Sequence, residues 1–507
     1  MFSVLFGLGI LTLFYYNFIQ PLTYWKKRGV PQQSVLTIAK DLLMVIFQLP
    51  GLAQFFDYCC NSFPESRYFG IYMMFGNTLV VQDPDLIKDI TVRDFDHFVD
   101  HIQYSPSDEP LWERNLFSLK GDAWRSMRSI LSPAFTGSKI KMMFPLMMQT
   151  TENFINHFQT KLEKKQCITL EMKDIFTRFA NDVIASIAYG YSCDSLKYPE
   201  NEFYKAAKEI VPHENYITNV KSYIMFKVPK LAKRLGYTIF AKYPSEFFQG
   251  IVKDAIKTRE ENKILRFDMI HLMLEEKRIR NENGEVENIT DVDITAQALA
   301  FFFAGVESVS SLMCFTAYEL AVNVDIQRRL QKEIDNTLRD CDGTITFKAL
   351  SKMEYIDMVL SETLRKWPSS IVTDRVCTKH YEIKPKHPEE VPVKLQKGDI
   401  VWIPTYSIQR NPKLFPDPDR FDPERFNKDN KLKMDPYSYM PFGGGPRLCI
   451  GNRFALIETK LLFFQILSKF DIVVVDKTRV PLKLAKYHFQ LSAEGGFWLG
   501  LKLRSSV

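Results

Sequence analysis

Residues 245–367 contain no proline, a run of 123 positions in which 26 prolines spread evenly over 507 residues would place roughly six. Proline lacks the backbone N–H and clashes with the preceding helical turn, so its absence over such a length predicts helix. The next 79 residues, 368–446, carry 12 prolines, which predicts turns, short strands and irregular loop. A chain partitioned this way is expected to be mainly α with small β-sheets.

Inside the proline-free tract, residues 277–288 are charged and contain a glycine, and they read as a loop. Thr290 and Asp293 then have capping-box spacing, with Asp where Glu or Gln is usual. A helix is predicted from Ile294 through about Val322. Its block 298–305 is apolar almost all round, which predicts burial. A further helix is predicted over 350–366. Residues 391–395, a turn at 397–399 and residues 400–403 read as a hairpin, and the C-terminus carries a second, where Gly495 and Gly496 lead into 497–504.

The chain holds 40 Phe, 22 Tyr and 6 Trp, enough to fill a large core, which excludes disorder. A net charge of +6 over 507 residues is too small to suggest a nucleic-acid partner. Eight cysteines show no zinc-site spacing, and their sparseness favours a reducing compartment over a disulfide framework. At the N-terminus, residues 2–19 are uncharged and would span about 27 Å as a helix, close to a bilayer's hydrocarbon thickness. Tyr24, Trp25, Lys26, Lys27 and Arg28 follow, aromatics and then positive charge, which predicts that the remainder stays cytoplasmic. The expected organisation is a membrane anchor over 1–20, a basic membrane-proximal linker over 21–45 and a catalytic domain over 46–507. A sequon at Asn288 would then go unused.

The most informative stretch is 442–451. Three consecutive glycines, 443–445, allow a tight fold or close approach to a flat ligand. Cys449 lies just before residues 452–464, which read as a strongly amphipathic helix. A thiol at a helix N-terminus is expected to favour thiolate. A lone cysteine is more often a small buried hydrophobe, yet none of the other seven has a comparable setting. Nearby residues supply no second metal ligand, so a metal here would take its other ligands from a macrocycle.

Phe442, Gly445, Arg447, Cys449 and Gly451 match the haem-binding loop of the cytochrome P-450 superfamily, the haem-thiolate monooxygenases, which the chain therefore resembles. Four more motifs occur in that superfamily's order. Glu362 and Arg365 match its Glu-x-x-Arg helix, and Pro423 to Phe426 the segment whose Arg425 joins that pair. Trp124 and Arg128 match its Trp-x-x-x-Arg helix, and Ala304 to Ser308 its distal oxygen-binding helix. The anchor, the segment 25–31 and the segment 96–101 are similar to microsomal insect enzymes of the xenobiotic-metabolising clan.

The resemblance implies a cytochrome P-450 fold preceded by one transmembrane helix, in the endoplasmic-reticulum membrane with its catalytic domain in the cytoplasm. It implies haem b, iron protoporphyrin IX, with Cys449 as axial iron ligand pushing electron density toward the metal. Trp124, Arg128, Arg375 and Arg447 would meet the anionic propionates, and Phe442, Gly451 and Ala304 would border the ring. Glu307 and Ser308 would move protons in the distal pocket. Glu362, Arg365 and Arg425 would form a buried structural network.

Electrons would come from NADPH through a reductase, with cytochrome b5 a second candidate donor, and Arg125, Arg453 and Lys460 are candidates for facing that acidic partner. A lipophilic substrate would meet residues 103–117, the Phe301 to Phe303 face, 369–373 and 492–494. The chain departs from the pattern at Ser308, where Thr is usual, and at Gln409, where many relatives have His. Two rival readings are a haem-thiolate isomerase or dehydratase, which would dispense with O2 and reductase, and a non-enzymatic haem-binding or membrane scaffold. The Glu307–Ser308 pair argues against the first and the intact set of motifs against the second.

Overall fold

The computed structural model describes residues 20–47, 50–73, 75–103, 109–210, 216–263, 266–282, 289–486 and 490–504. The anchor expected over 1–20 lies almost wholly outside them, as do Asn288 and residues 283–288 of the expected loop; residues 277–282, read as loop, instead continue the helix Met269–Glu282. Helices dominate and strands are short. The helices that position the site are α1 (Gly121–Leu131), α2 (Met172–Tyr189), α3 (Asp291–Val322), α4 (Glu354–Lys366) and α5 (Asn452–Lys469).

The proline-free tract is helical as expected, and α3 opens on the capping box. Thr290 Oγ1 accepts from Asp293 N at 3.2 Å while the Asp293 carboxylate accepts from Thr290 N at 2.9 Å. Buried residues run along α3 from Ile294 to Ala321, because α2, α4 and α5 pack against it. Among the described residues it is the one helix long and apolar enough to cross a membrane, and it is instead the central helix of the core.

The helix predicted over 350–366 is in fact two, Phe347–Lys352 and α4, separated at Met353 (ψ 117°). The break is stabilised from a distance, since Glu333 accepts from Tyr355 N at 2.7 Å and Ile356 N at 3.0 Å. That supplies acceptors for the N–H groups that a new helix start leaves free. Nothing near residue 353 in the sequence encodes this cap. The amphipathic reading of α5 is also corrected: Glu458, Thr459 and Lys460 are buried along with its apolar positions, because the helix runs through the core between Gly137–Leu162, Val324–Asp340 and α3.

The hairpin expected over 391–403 does not form. β5 (Tyr381–Ile383) pairs with β6 (Val393–Leu395) as a separate two-stranded sheet. β7 (Ile400–Ile403) lies between β2 (Gly76–Val81) and β4 (Thr373–Val376), with β1 (Tyr68–Met73) at the far edge. Burial explains the division. All four residues of β7 are buried, as a central strand requires, whereas β6 alternates and has one wet face. The C-terminal strand β9 (Trp498–Leu503) exists, but its partners are β3 (Cys167–Glu171) and β8 (Phe470–Val473), not the residues just before Gly495.

Candidate functional site

Gly443 and Gly445 adopt left-handed φ of 77° and 66°, which folds the 442–451 loop back so that Cys449 N donates to Phe442 O at 2.9 Å. The loop is clamped from outside. Arg375 Nη2 donates to Gly444 O at 3.0 Å, and a Cβ at Gly445 would lie 1.8 Å from the Thr91 carbonyl oxygen. Gly445→Ala therefore combines a strained φ with overpacking, and it is expected to cost about 2–4 kcal/mol and to lower the denaturation midpoint with no chemical group removed. An unchanged midpoint would show that the Thr91 segment yields freely.

Cys449 sits deep in the fold, yet its own surface is open. Ala304 is likewise exposed in the middle of α3, between buried Phe302 and Val306. Openness at deep positions with small side chains marks internal space. The expected thiolate preference is not a property of the protein alone. Cys449 precedes the Gly451 N-cap by two residues, and burial pushes its thiol up more than the Gly451 N–H and Arg128 pull it down.

Three guanidiniums gather near this loop. Arg375 is fully buried; it donates to Asp374 O at 2.7 Å and Gly444 O at 3.0 Å, but its Nε meets no acceptor. Arg447 donates to Val99 O at 2.8 Å, Leu119 O at 2.9 Å and Leu116 O at 3.3 Å, and lies 4.1 Å from the Trp124 ring centroid. Arg128, one turn beyond Trp124 on α1, has no hydrogen-bond acceptor among the described residues. Burial and mutual repulsion push Arg447 down to about 9 and burial pushes Arg375 down to about 10. The carboxylates that oppose this are Asp100, 3.8 Å from Arg447, and Asp374, which also accepts from Ile102 N at 2.6 Å and pairs with His101. Surplus buried positive charge with unused donors calls for an anionic ligand.

On α3 the two residues expected to move protons have partners of their own. Ser308 Oγ donates back to Ala304 O at 2.5 Å. Glu307 pairs with Lys173 on α2, Nζ to Oε1 2.7 Å, and the same ammonium reaches Ser310 and Ser311 Oγ, each at 2.9 Å. Sequence reading missed Lys173, and no local signal marks it. The Phe301 to Phe303 face is divided as well. Phe302 is buried among Tyr189, Phe203 and Phe248, while Phe303 meets Trp112 at 6.2 Å, which in turn meets Phe240 at 5.6 Å. Residues 104–108 lie outside those described.

The Glu362–Arg365–Arg425 group does assemble. Arg365 grips Glu362 with two bonds of 2.7 and 2.8 Å and also donates to Gln409 O and Pro418 O. Arg425 Nε stands 3.5 Å from Glu362 Oε1. Burial pushes the Glu362 carboxyl up against the pull of both arginines. Gln409, noted only as a departure, is a buried tie: its amide donates to Leu364 O and Arg365 O and accepts from Met440 N. Of the residues expected to face a partner, Arg453 is exposed and Arg125 is exposed beside Asp96. Lys460, expected to face the partner, is instead buried and paired with Asp357 at 2.8 Å, so it is not on the surface that a partner could meet.

A flat dianionic macrocycle fits these residues: a cysteine facing internal space, a tight glycine loop, an open alanine in the middle of α3 and arginines with donors to spare. The comparisons agree. The family model described as Cytochrome P450 matches residues 39–498. "Cytochrome P450 9e2" of Blattella germanica is 40% identical, over 95% of this chain and 94% of that one. "Probable cytochrome P450 9f2" of Drosophila melanogaster is 38% identical over 95% of each. "Cytochrome P450 6a2" of the same fly is 33% identical over 97% of each.

Proposed function

This chain belongs to the cytochrome P450 family and is a haem-thiolate monooxygenase, and on that footing we propose that it is a microsomal enzyme that takes electrons from an NADPH reductase and oxidises lipophilic molecules. The observation that carries the site assignment is Cys449, open on internal space near Arg128, which has no hydrogen-bond acceptor among the described residues, and Arg375, whose Nε is unused. Haem b bound there supplies the redox-active iron at which dioxygen is reduced and one oxygen atom passes to substrate.

The chain's own residues divide the remaining work. Cys449 offers the sulfur; positive charge from Arg128 and the Gly451 N–H favour its deprotonated form once a metal shares that charge. Arg128, Arg375 and Trp124 offer donors to the propionates, while Arg447 contributes charge more than free hydrogen bonds. Phe303, Trp112 and Phe240 make an apolar wall on the α3 side, suited to a lipophilic substrate.

Membrane residence is supported by an apolar surface outside the core. Leu36, Leu43 and Phe47, at the helix Val35–Ile46, are exposed, as are Val220, Val228 and Leu231 near the helices Tyr216–Lys227 and Pro229–Arg234. These helices touch one another, which puts the exposed apolar side chains on neighbouring elements, as a membrane-facing surface needs.

The test is the carbon monoxide difference spectrum of the reduced, membrane-bound protein, followed by NADPH-dependent turnover with reductase. A strongly red-shifted Soret band is expected. A band at the ordinary position, or none, would overturn the thiolate assignment.

A further inference from the structure

Residues Asp89–Arg93 form a π turn that continues the short helix Pro84–Lys88, and Asp94 N donates to Asp89 O at 2.7 Å, five residues back. Such turns are rare and concentrate at functional sites, so contacts outside the helix have to favour this one. Thr91 supplies them. It is wholly buried, between the equally buried Ile87 and Ile90 and the glycine loop. Its hydroxyl donates back to Ile87 O at 2.7 Å, a bond of the kind that bends helices.

Both ends of Thr91 meet the loop that carries Cys449. The carbonyl oxygen takes the place that a Cβ at Gly445 would need, so it lies against the Gly445 Cα. A Cβ at Gly444 would stand 3.5 Å from Thr91 Oγ1 and 3.3 Å from Met440 Sδ. These glycines are where the loop turns. Gly444 caps the short turn Gly445–Arg447, Leu448 N donates to Gly445 O at 3.0 Å, and Cys449 N closes back on Phe442 O at 2.9 Å. Those two bonds span the interval from the glycines to Cys449, so a shift at the glycines is passed on to the sulfur. Arg375 also holds Gly444 O, at 3.0 Å, but a guanidinium on a long side chain can follow a moving loop. The Thr91 carbonyl belongs to a buried helix backbone and can move only with that helix.

We propose that Thr91 is a positioning residue for the Cys449 sulfur: its hydroxyl bond to Ile87 O sets the π turn, the turn seats the Thr91 carbonyl on Gly445, and the seated glycines fix where the sulfur faces the internal space. The inference deepens the haem-thiolate reading and rests on it.

The test compares Thr91→Val, which keeps the side-chain shape and removes the hydroxyl tie, with Thr91→Ser, which keeps the tie. The full-length, membrane-bound protein carries two readouts. In hydrogen–deuterium exchange, the peptide covering 442–451 is expected to exchange about fivefold faster in Thr91→Val, the change that one ordinary hydrogen bond makes in an equilibrium, with the Glu362–Arg365 segment unchanged. In the reduced carbon monoxide complex, the red-shifted band is expected to decay to the ordinary position with a half-life shortened by a similar factor. Thr91→Ser should stay near native in both. Absence of either change in Thr91→Val overturns the proposal, and so does equal loss in Thr91→Ser, because the hydroxyl tie would then be irrelevant. Faster exchange throughout the domain overturns it too, since Thr91 would then be a fold residue. A native protein lacking the red-shifted band would instead defeat the haem-thiolate site assignment, which keeps the two failures apart.

Discussion

Cys449→Ala is expected to abolish both turnover and the red-shifted carbon monoxide band, while the haem-free protein keeps its melting temperature within about 2–4 °C, the shift that ~1 kcal/mol produces in a sizeable domain. The reason lies in how the loop is held. Its fold depends on backbone bonds from Cys449 N to Phe442 O and from Leu448 N to Gly445 O, and on the Arg375 clamp at Gly444. None of these uses the sulfur. The side chain faces open space, so truncation removes little packing and creates no new cavity of consequence. Alanine offers iron no ligand at all, and the electron donation that favours O–O cleavage goes with the thiolate. Circular dichroism and thermal melting of the haem-free protein check the first half, and reduced-carbon monoxide spectroscopy checks the second. A variant that kept turnover would refute the role of Cys449.

Glu362→Gln should do the reverse, unfolding the protein without touching the reacting groups. The Glu362–Arg365 pair is wholly buried, and Arg425 and the Asp422 N–H also point at the same carboxylate. Removing one charge strands the other in the core, at about 3–5 kcal/mol. Carbonyls of Gln409 and Pro418 still solvate Arg365, which places the expected loss toward the lower end. The melting temperature should fall by at least roughly 6 °C, and haem should be lost in proportion to unfolding. The double variant Glu362→Gln with Arg365→Met discriminates the cause. Removing both charges should recover much of the loss, because a buried pair contributes little net stability over apolar packing of similar volume. No recovery would mean that Glu362 acts through Arg425 and the Asp422 backbone.

The sequence was most legible where chemistry depends on residue spacing along one segment. The capping box at Thr290 and Asp293, the burial of α3, the Cys449 loop and the Glu362–Arg365 pair are all short-range features, and the structure puts each in a coherent place. It was least legible where two distant segments choose each other. The β6–β7 hairpin was a fair reading of the local pattern, but local pattern cannot say that β7 would be drawn into a four-stranded sheet while β6 pairs elsewhere. The residue order of α5 gives an amphipathic helix only if its charged residues are wet, and the packing of three helices around it encloses Glu458 and Lys460.

The division follows from range. Helix content, the Thr290 cap of α3 and the turn of the glycine loop before Cys449 depend on neighbours within a turn or two, so the amino-acid order by itself determined them. Which charge meets which partner depends on chain segments 69 to 134 residues apart. Only the tertiary structure decided that Lys173 would answer Glu307, that Arg375 would clamp Gly444 and that Lys460 would turn inward to Asp357. Charges carry no partner label in sequence. In a core that excludes water each must find its counterpart or remain unpaired at high cost, and it is the packing of the helices that sets the pairs.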